Sequence, residues 1–141
     1  MTEYLSQIVA LGARHKRNDA VWDEANRALD AFEKAMRDAG VFVFAWAPLG
    51  GDGQSGCLYD RTVGWSGDIG DNGVDPTSWR LQVPGFIGYR DRCEWDRDTT
   101  LHAVATLPAL LAKIRCTLEK TDALASTAEP VLNIFRNQEA Q

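Results

Sequence analysis

The chain has 141 residues, a formal net charge of −5, and 45% hydrophobic against 25% charged residues. That length suits one domain able to bury a core without staples, and the composition excludes a disordered chain. The acidic balance excludes the broad basic footprint that duplex DNA or an anionic membrane selects, but leaves room for a local arginine patch.

No uninterrupted apolar run approaches the ~20 residues that span a bilayer. Met1-Thr2-Glu3-Tyr4 lacks the basic and apolar pattern of a secretory leader, so the expected location is the cytoplasm. Cys57, Cys93 and Cys116 are too few and too scattered for a disulfide framework, and are expected as buried free thiols.

One domain, 1–141, is expected in three parts: a helical arm over 1–40, an antiparallel sheet with two Gly/Asp-rich loops over 41–98, and C-terminal helices over 99–141. Trp22, Ala25, Leu29, Phe32 and Met36 are spaced 3, 4, 3 and 4 apart, a helical seam. Gly40 is a natural helix-ending residue. Tyr4, Leu5, Ile8 and Leu11 indicate an earlier helical stretch. The polar run Arg14–Asn18 predicts either a kink or two abutting helices, with Asn18 or Asp19 capping the second.

Residues 41–47 are all apolar and mostly β-branched or aromatic, hence a strand with two apolar faces. Residues 48–56 read as a loop and 57–65 as a strand, with Val63 and Trp65 on one face. Residues 66–78 read as a long loop, followed by strands over 79–83 and 86–95. Parity at Val83-Pro84-Gly85 favours an odd-length turn pairing Trp79 with Tyr89. That register places Trp79, Leu81, Tyr89 and Trp95 on one face. Arg80, Gln82, Phe86, Arg90 and Arg92 then share the other.

Thr99 or Thr100 is the expected cap of the next helix, whose buried stripe is Leu101, Val104, Leu107, Leu111, Ile114 and Leu118. Pro108 predicts a kink or a short preceding turn. Pro130 predicts the start of a last short helix, docked by Val131, Leu132 and Phe135. The fold class is α+β: a long N-terminal helix or helix pair, about four antiparallel strands, and C-terminal helices on one sheet face.

Chemistry-bearing patterns are sparse. Asp68 to Asp75 has the Asp/Asn/Gly alternation of a calcium loop, but Gly70 and Trp79 occupy two ligand positions. His15 and His102 lack the partners of a zinc site. Gly64-Trp65-Ser66-Gly67 is only a fragment of a nucleophile elbow, and Gly50 to Gly53 has no Lys-Ser/Thr after it. No metal, cofactor or catalytic residue is therefore assigned.

Arginine is the remaining signal. Residues 41–98 hold five arginines, no lysine and four of the five tryptophans. Guanidinium forks grip phosphate or carboxylate, and aromatic rings stack bases. The candidate ligand residues are Arg80, Gln82, Phe86, Arg90, Arg92 and Trp65. A solvated face of cross-strand ion pairs is the plainer explanation of the arginines. Candidate interface residues for a homodimer or higher homo-oligomer are Trp22, Leu29, Phe32, Phe42, Phe44 and Trp46.

The stretch Trp95-Asp96-Arg97 leading into Leu101 and Leu107-Pro108-Ala109-Leu110-Leu111 resembles the close of the sheet and the next helix in phage-encoded Thoeris anti-defence sponge proteins. The resemblance covers roughly 79–118 and carries over no binding residue. It implies an oligomer, in the cytoplasm of a host cell, that sequesters cyclic ADP-ribose-type signals or cyclic oligonucleotides without degrading them. Three readings follow. One is such a ligand-sequestering protein, with a small anionic nucleotide-like ligand. Another is an anti-CRISPR-like inhibitor that docks on a host defence protein through acidic loops at Asp52, Asp68, Asp71 and Asp75. The third is a small nucleotide hydrolase or lyase.

Overall fold

The computed structural model describes residues 2–49, 62–85 and 88–139. Two long helices frame a short sheet. Helix α1 (Thr2–Ala39) leads through an extended segment into β1 (Ala45–Pro48). Then come β2 (Thr62–Ser66), the small hairpin β3 (Ile69–Gly70) and β4 (Gly73–Val74), β5 (Arg80–Pro84) and β6 (Tyr89–Arg90). Helix α2 (Arg97–Glu139) closes the chain. The main sheet is antiparallel, in the order β1-β2-β5-β6. The α+β architecture with helices against one sheet face is thus as the sequence predicts.

One continuous helix replaces the expected kink or helix pair at Arg14–Asn18. Arginine and lysine are good helix formers, and His15 sits 3.4 Å from Asp19 one turn on, so the run interrupts only the apolar stripe. Gly40 ends α1 at φ +72°. Its amide donates to the Arg37 carbonyl, and that of Val41 donates to Met36. This is a Schellman closure, which satisfies carbonyls the helix would otherwise orphan.

The C-terminal helix is also one element, beginning at Arg97 and not at the expected Thr99 or Thr100 cap. The Asp96 carboxylate receives the Thr99 amide at 2.7 Å and acts as the cap. Pro108 and Pro130 lie inside the helix, each deleting one amide donor, to Val104 and to Ser126. No separate last helix docks, because Val131, Leu132 and Phe135 are exposed. The buried line is Thr100, Ala103, Thr106, Leu110 and Ile114, with Val104 and Leu107 half-buried. Leu111 and Leu118, expected inside, lie to its side and are exposed. Two small hydroxyl residues take buried places because each donates back one turn, Thr100 to Asp96 O and Thr106 to His102 O.

Alternation sorts the sheet. Ala45, Ala47, Val63, Trp65, Leu81 and Val83 face the helices and are buried, with Leu29, Met36, Ala103, Leu110 and Ile114 against them. Phe32 meets Trp65 edge-on with centroids 6.1 Å apart, and Phe42 lies 5.6 Å from Trp79. The Trp65 indole donates to the Val41 carbonyl at 2.7 Å. Leu29, Phe32 and Phe42, expected at an interface, therefore pack within this chain.

The register between β5 and β6 corrects the expected parity. Val83 pairs with Arg90 and Pro84 with Tyr89. The turn is even-length, with Gly88 at φ +75° and the Gly85 amide donating to the Gly88 carbonyl. Tyr89 thus joins the face of Arg80 and Gln82, while Arg90 pairs across from Val83 on the other. Among the described residues of the strand expected over 86–95 only Tyr89–Arg90 is strand, and a 3-10 turn, Arg92–Glu94, follows. The exposed loop expected over 66–78 contains the β3–β4 hairpin and a 3-10 turn, Pro76–Ser78. Cys93 and Cys116 are exposed thiols, not buried ones: one sits in the turn after β6, the other on the solvent side of α2. Cys57 lies outside the described residues.

A buried polar knot holds α1 to the far end of the sheet. Glu33 is 7% exposed. Its Oε2 receives the Leu81 amide at 3.0 Å, a donor beyond the reach of β6, which pairs only with Val83 and Pro84. Its Oε1 receives Arg92 Nη1 at 2.7 Å. Arg92 also binds the Asp30 carboxylate, and its Nη2 donates to the carbonyl and side-chain oxygens of Asn26, each at 3.1 Å. Burial lowers the Arg92 pKa, but the hydrogen bonds and charges of Glu33 and Asp30 outweigh it and hold the group above its ordinary value. The guanidinium is therefore always charged and always needs its acids. Replacing Glu33 with alanine strips that cation of its buried acid, leaving it the exposed Asp30 carboxylate and the Asn26 oxygens, and leaves the Leu81 amide without its acceptor. We expect Glu33→Ala to lose about 3–5 kcal/mol in chemical denaturation, and Asp30→Ala, at an exposed carboxylate, under about 1 kcal/mol.

Candidate ligand-binding face

The sheet face turned away from the helices has its own register. Trp46 pairs with Gly64 and Gly64 with Gln82, while Ser66 pairs with Arg80. Tyr89 enters on the same side through Pro84. Phe44, Trp46, Ser66, Arg80, Gln82 and Tyr89 line a cleft of about 300 Å³ whose far wall is Gly67, Asp68 and Ser78.

Its aromatic wall depends on a glycine. The Trp46 ring lies over Gly64, where an added Cβ would sit 2.1 Å from the indole. From there Trp46 stacks on Tyr89, with centroids 5.2 Å apart and planes inclined by 23°. Phe44 leans on buried Trp79 at 4.8 Å and stays 48% exposed. Tyr89 is 59% exposed. Three rings from opposite edges of a four-stranded sheet thus converge on its outer face, two of them open to solvent.

The polar wall is small and mixed. The Ser66 hydroxyl donates to the Gln82 side-chain carbonyl, leaving the Gln82 amide group as a donor. Arg80 Nε lies 3.3 Å from Asp91, which engages one of the five guanidinium N–H donors. Asp68 and Ser78 are tied into a turn. Asp68 N binds the Ser78 hydroxyl at 2.7 Å, and Asp75 receives both donors of Thr77. The Asp75 carboxylate, part of the calcium-like pattern, is thus a turn cap here. Among the described residues no group of three or more His, Cys, Asp and Glu side chains is placed to hold a metal.

The structure therefore divides the sequence-derived set. Arg80 and Gln82 meet in the cleft. Trp65 is fully buried on the helix side, its strand neighbours Gly64 and Ser66 taking the outer face. Arg92 lies on the helix side in the Glu33 knot. Arg90 is exposed at the sheet edge on the side opposite Tyr89, with its carbonyl receiving the Trp95 indole. Phe86 lies outside the described residues. Of the interface set, Phe44 and Trp46 line the cleft. Trp22 is half-buried beneath the Arg97 guanidinium, 5.0 Å from its ring centre. Sequence reasoning missed Tyr89 and Ser66. The alternation Thr62-Val63-Gly64-Trp65-Ser66, small or polar on one side and large on the other, is the signal that marks the outer face.

A second cleft, of about 380 Å³, lies against the knot between Trp22, Asn26, Asp30, Arg92 and Trp95. There Glu33, Asp30 and Asn26 already occupy Arg92, so an incoming anion must displace carboxylates. Comparisons with family models, with curated proteins and with solved structures find no match to this chain.

Gly64→Ala tests the aromatic wall. The new methyl forces the Trp46 ring off the strand, at a cost of about 1–3 kcal/mol. The expected signature is loss of the Trp46–Tyr89 exciton couplet in near-ultraviolet circular dichroism with the helical signal retained.

Proposed function

We propose that the protein is a non-catalytic binder that sequesters a small, flat, anionic ligand of nucleotide type on the outer sheet face. The observation that carries this reading is the stacked Trp46–Tyr89 pair beside Phe44, with a half-exposed guanidinium at the same cleft. A base or nicotinamide-like ring lies against the aromatics, where stacking contributes about 1–3 kcal/mol per ring. Arg80 swings its fork from Asp91 to a phosphate, and the Gln82 amide donates to a ring or ribose oxygen.

Sequestration is favoured over turnover by the cleft's chemistry. Ser66 points its hydroxyl at a neutral amide, not at a base. The resemblance to anti-defence sponges agrees with this and suggests an immune signal such as cyclic ADP-ribose or a cyclic oligonucleotide, encountered in a host cytoplasm. It adds no residue to the site.

The test is thermal stabilisation by a panel of cyclic mononucleotides, cyclic dinucleotides and cyclic ADP-ribose, followed by chromatography of the recovered ligand. At 100 times Kd a true ligand adds about 2.7 kcal/mol. Arg80→Ala and Trp46→Ala should each weaken binding about tenfold or more, and the ligand should return intact. Absence of any shift across the panel rejects the reading. A converted ligand replaces it with the enzyme alternative.

A further inference from the structure

Both helices continue, beyond the packed body, as arms whose seams nothing covers. Residues 2–18 of α1 are all exposed, as are residues 115–139 of α2 apart from half-buried Thr117. In α1 the seam of Trp22, Ala25, Leu29, Phe32 and Met36 extends backwards without a break in its 3-4 spacing. It runs through Asn18 and His15 to Leu11, Ile8 and Tyr4. In α2 the spacing of Ala103, Leu107, Leu110 and Ile114 extends forwards through Thr117 and Thr121. It then reaches Leu124, Ala128, Val131 and Phe135. Such a repeat held over about five heptads is the pattern of helices that pack on other helices along their whole length.

The arms share a plan. Each has two polar seam positions next to the body, then an apolar cluster beginning roughly 10 residues, or about 15 Å, further out. The two polar positions of α2 are suited to burial. Thr117 and Thr121 donate to Lys113 O and Thr117 O, the same back-bond that lets Thr100 and Thr106 lie buried in the body. Leu5, Leu118, Leu132 and Ile134 widen the two seams and are exposed as well. Taken together, the exposed apolar side chains of the two arms offer an area on the order of 1,000 Å² per chain. That is comparable with the ~800 Å² per partner of a standard specific interface.

We propose that a second copy of this chain covers them, the α1 arm of one copy packing antiparallel against the α2 arm of the other. A two-fold axis covers both seams of both copies at once and leaves neither open. Lys16, six residues before Trp22, and Lys120, six residues after Ile114, then lie at the same height on adjoining helices of different copies.

Sedimentation equilibrium of the full chain should give twice the 15.6 kDa protomer mass or a higher even multiple. Ile8→Asp and Val131→Asp should each return the mass to one protomer with the near-ultraviolet tryptophan signal of the body unchanged. In wild-type protein mixed from light and heavy isotope preparations, lysine cross-linking should give heavy–light Lys16–Lys120 products. α2 is also long and apolar enough by composition to cross a membrane, so flotation with phosphatidylcholine vesicles is the competing arm. A monomeric wild type, an assembly indifferent to both substitutions, or Lys16–Lys120 products only within single copies would overturn the proposal. A monomer that floats with vesicles would assign the apolar seams to lipid instead.

Discussion

Glu33 is the joint on which the body depends. One carboxylate, turned inward from a helix, receives a strand amide with one oxygen and a guanidinium with the other. It thereby ties α1 to β5 and to the turn after β6, 48 and 59 residues away in sequence. Hydrophobic burial alone holds helices against a sheet but does not choose their rotation. A buried acid and base that must meet do choose it, because leaving either unpaired in the interior is costly. The seam of Leu29, Phe32 and Met36 supplies the packing, and Glu33 fixes which way it faces.

That rotation frees the other sheet face. With both helices on the side of Trp65 and Leu81, Trp46, Tyr89 and Arg80 are left on the open face. An uncovered antiparallel face ordinarily carries polar side chains. This one carries a stacked aromatic pair over a glycine and one half-exposed arginine. The arrangement spends aromatic surface on solvent, which is what a binding surface for a flat ligand requires.

Much of this is legible in the sequence. The 3-4 spacing of Trp22 to Met36 marks the packed helix, and Gly40 marks its end. The β-branched and aromatic run over 41–47 marks the sheet only in part, since residues 41–44 are extended chain and the strand forms at Ala45–Pro48. What was not legible depended on partners distant in the chain. Glu33 reads as an exposed helix acid until Arg92 and the Leu81 amide are brought to it. Arg92 reads as an anion-binding residue for the same reason. Tyr89 changes face because the turn before it has even length, a choice that glycine at 88 permits and local parity disfavours. Pro130 reads as a helix start, yet one lost amide bond in an exposed segment does not end α2. Arg80 and Gln82 were identifiable as cleft residues, since both lie on the polar side of a strand whose other side is Trp79, Leu81 and Val83.

The five tryptophans are distinct reporters. Trp46 lies at the outer cleft, Trp65 and Trp79 in the core, Trp95 in the turn after β6, and Trp22 under Arg97. Titrating ¹⁵N-labelled protein with whichever cyclic nucleotide stabilises it, and following the five indole N–H resonances, locates the ligand directly. The expected result is a large shift at Trp46, with the Trp65 and Trp95 resonances, both hydrogen-bonded to backbone carbonyls, left in place. A response led by Trp22 or Trp95 with Trp46 unmoved would put the ligand in the cleft beside Arg92 and contradict the assignment of the outer sheet face.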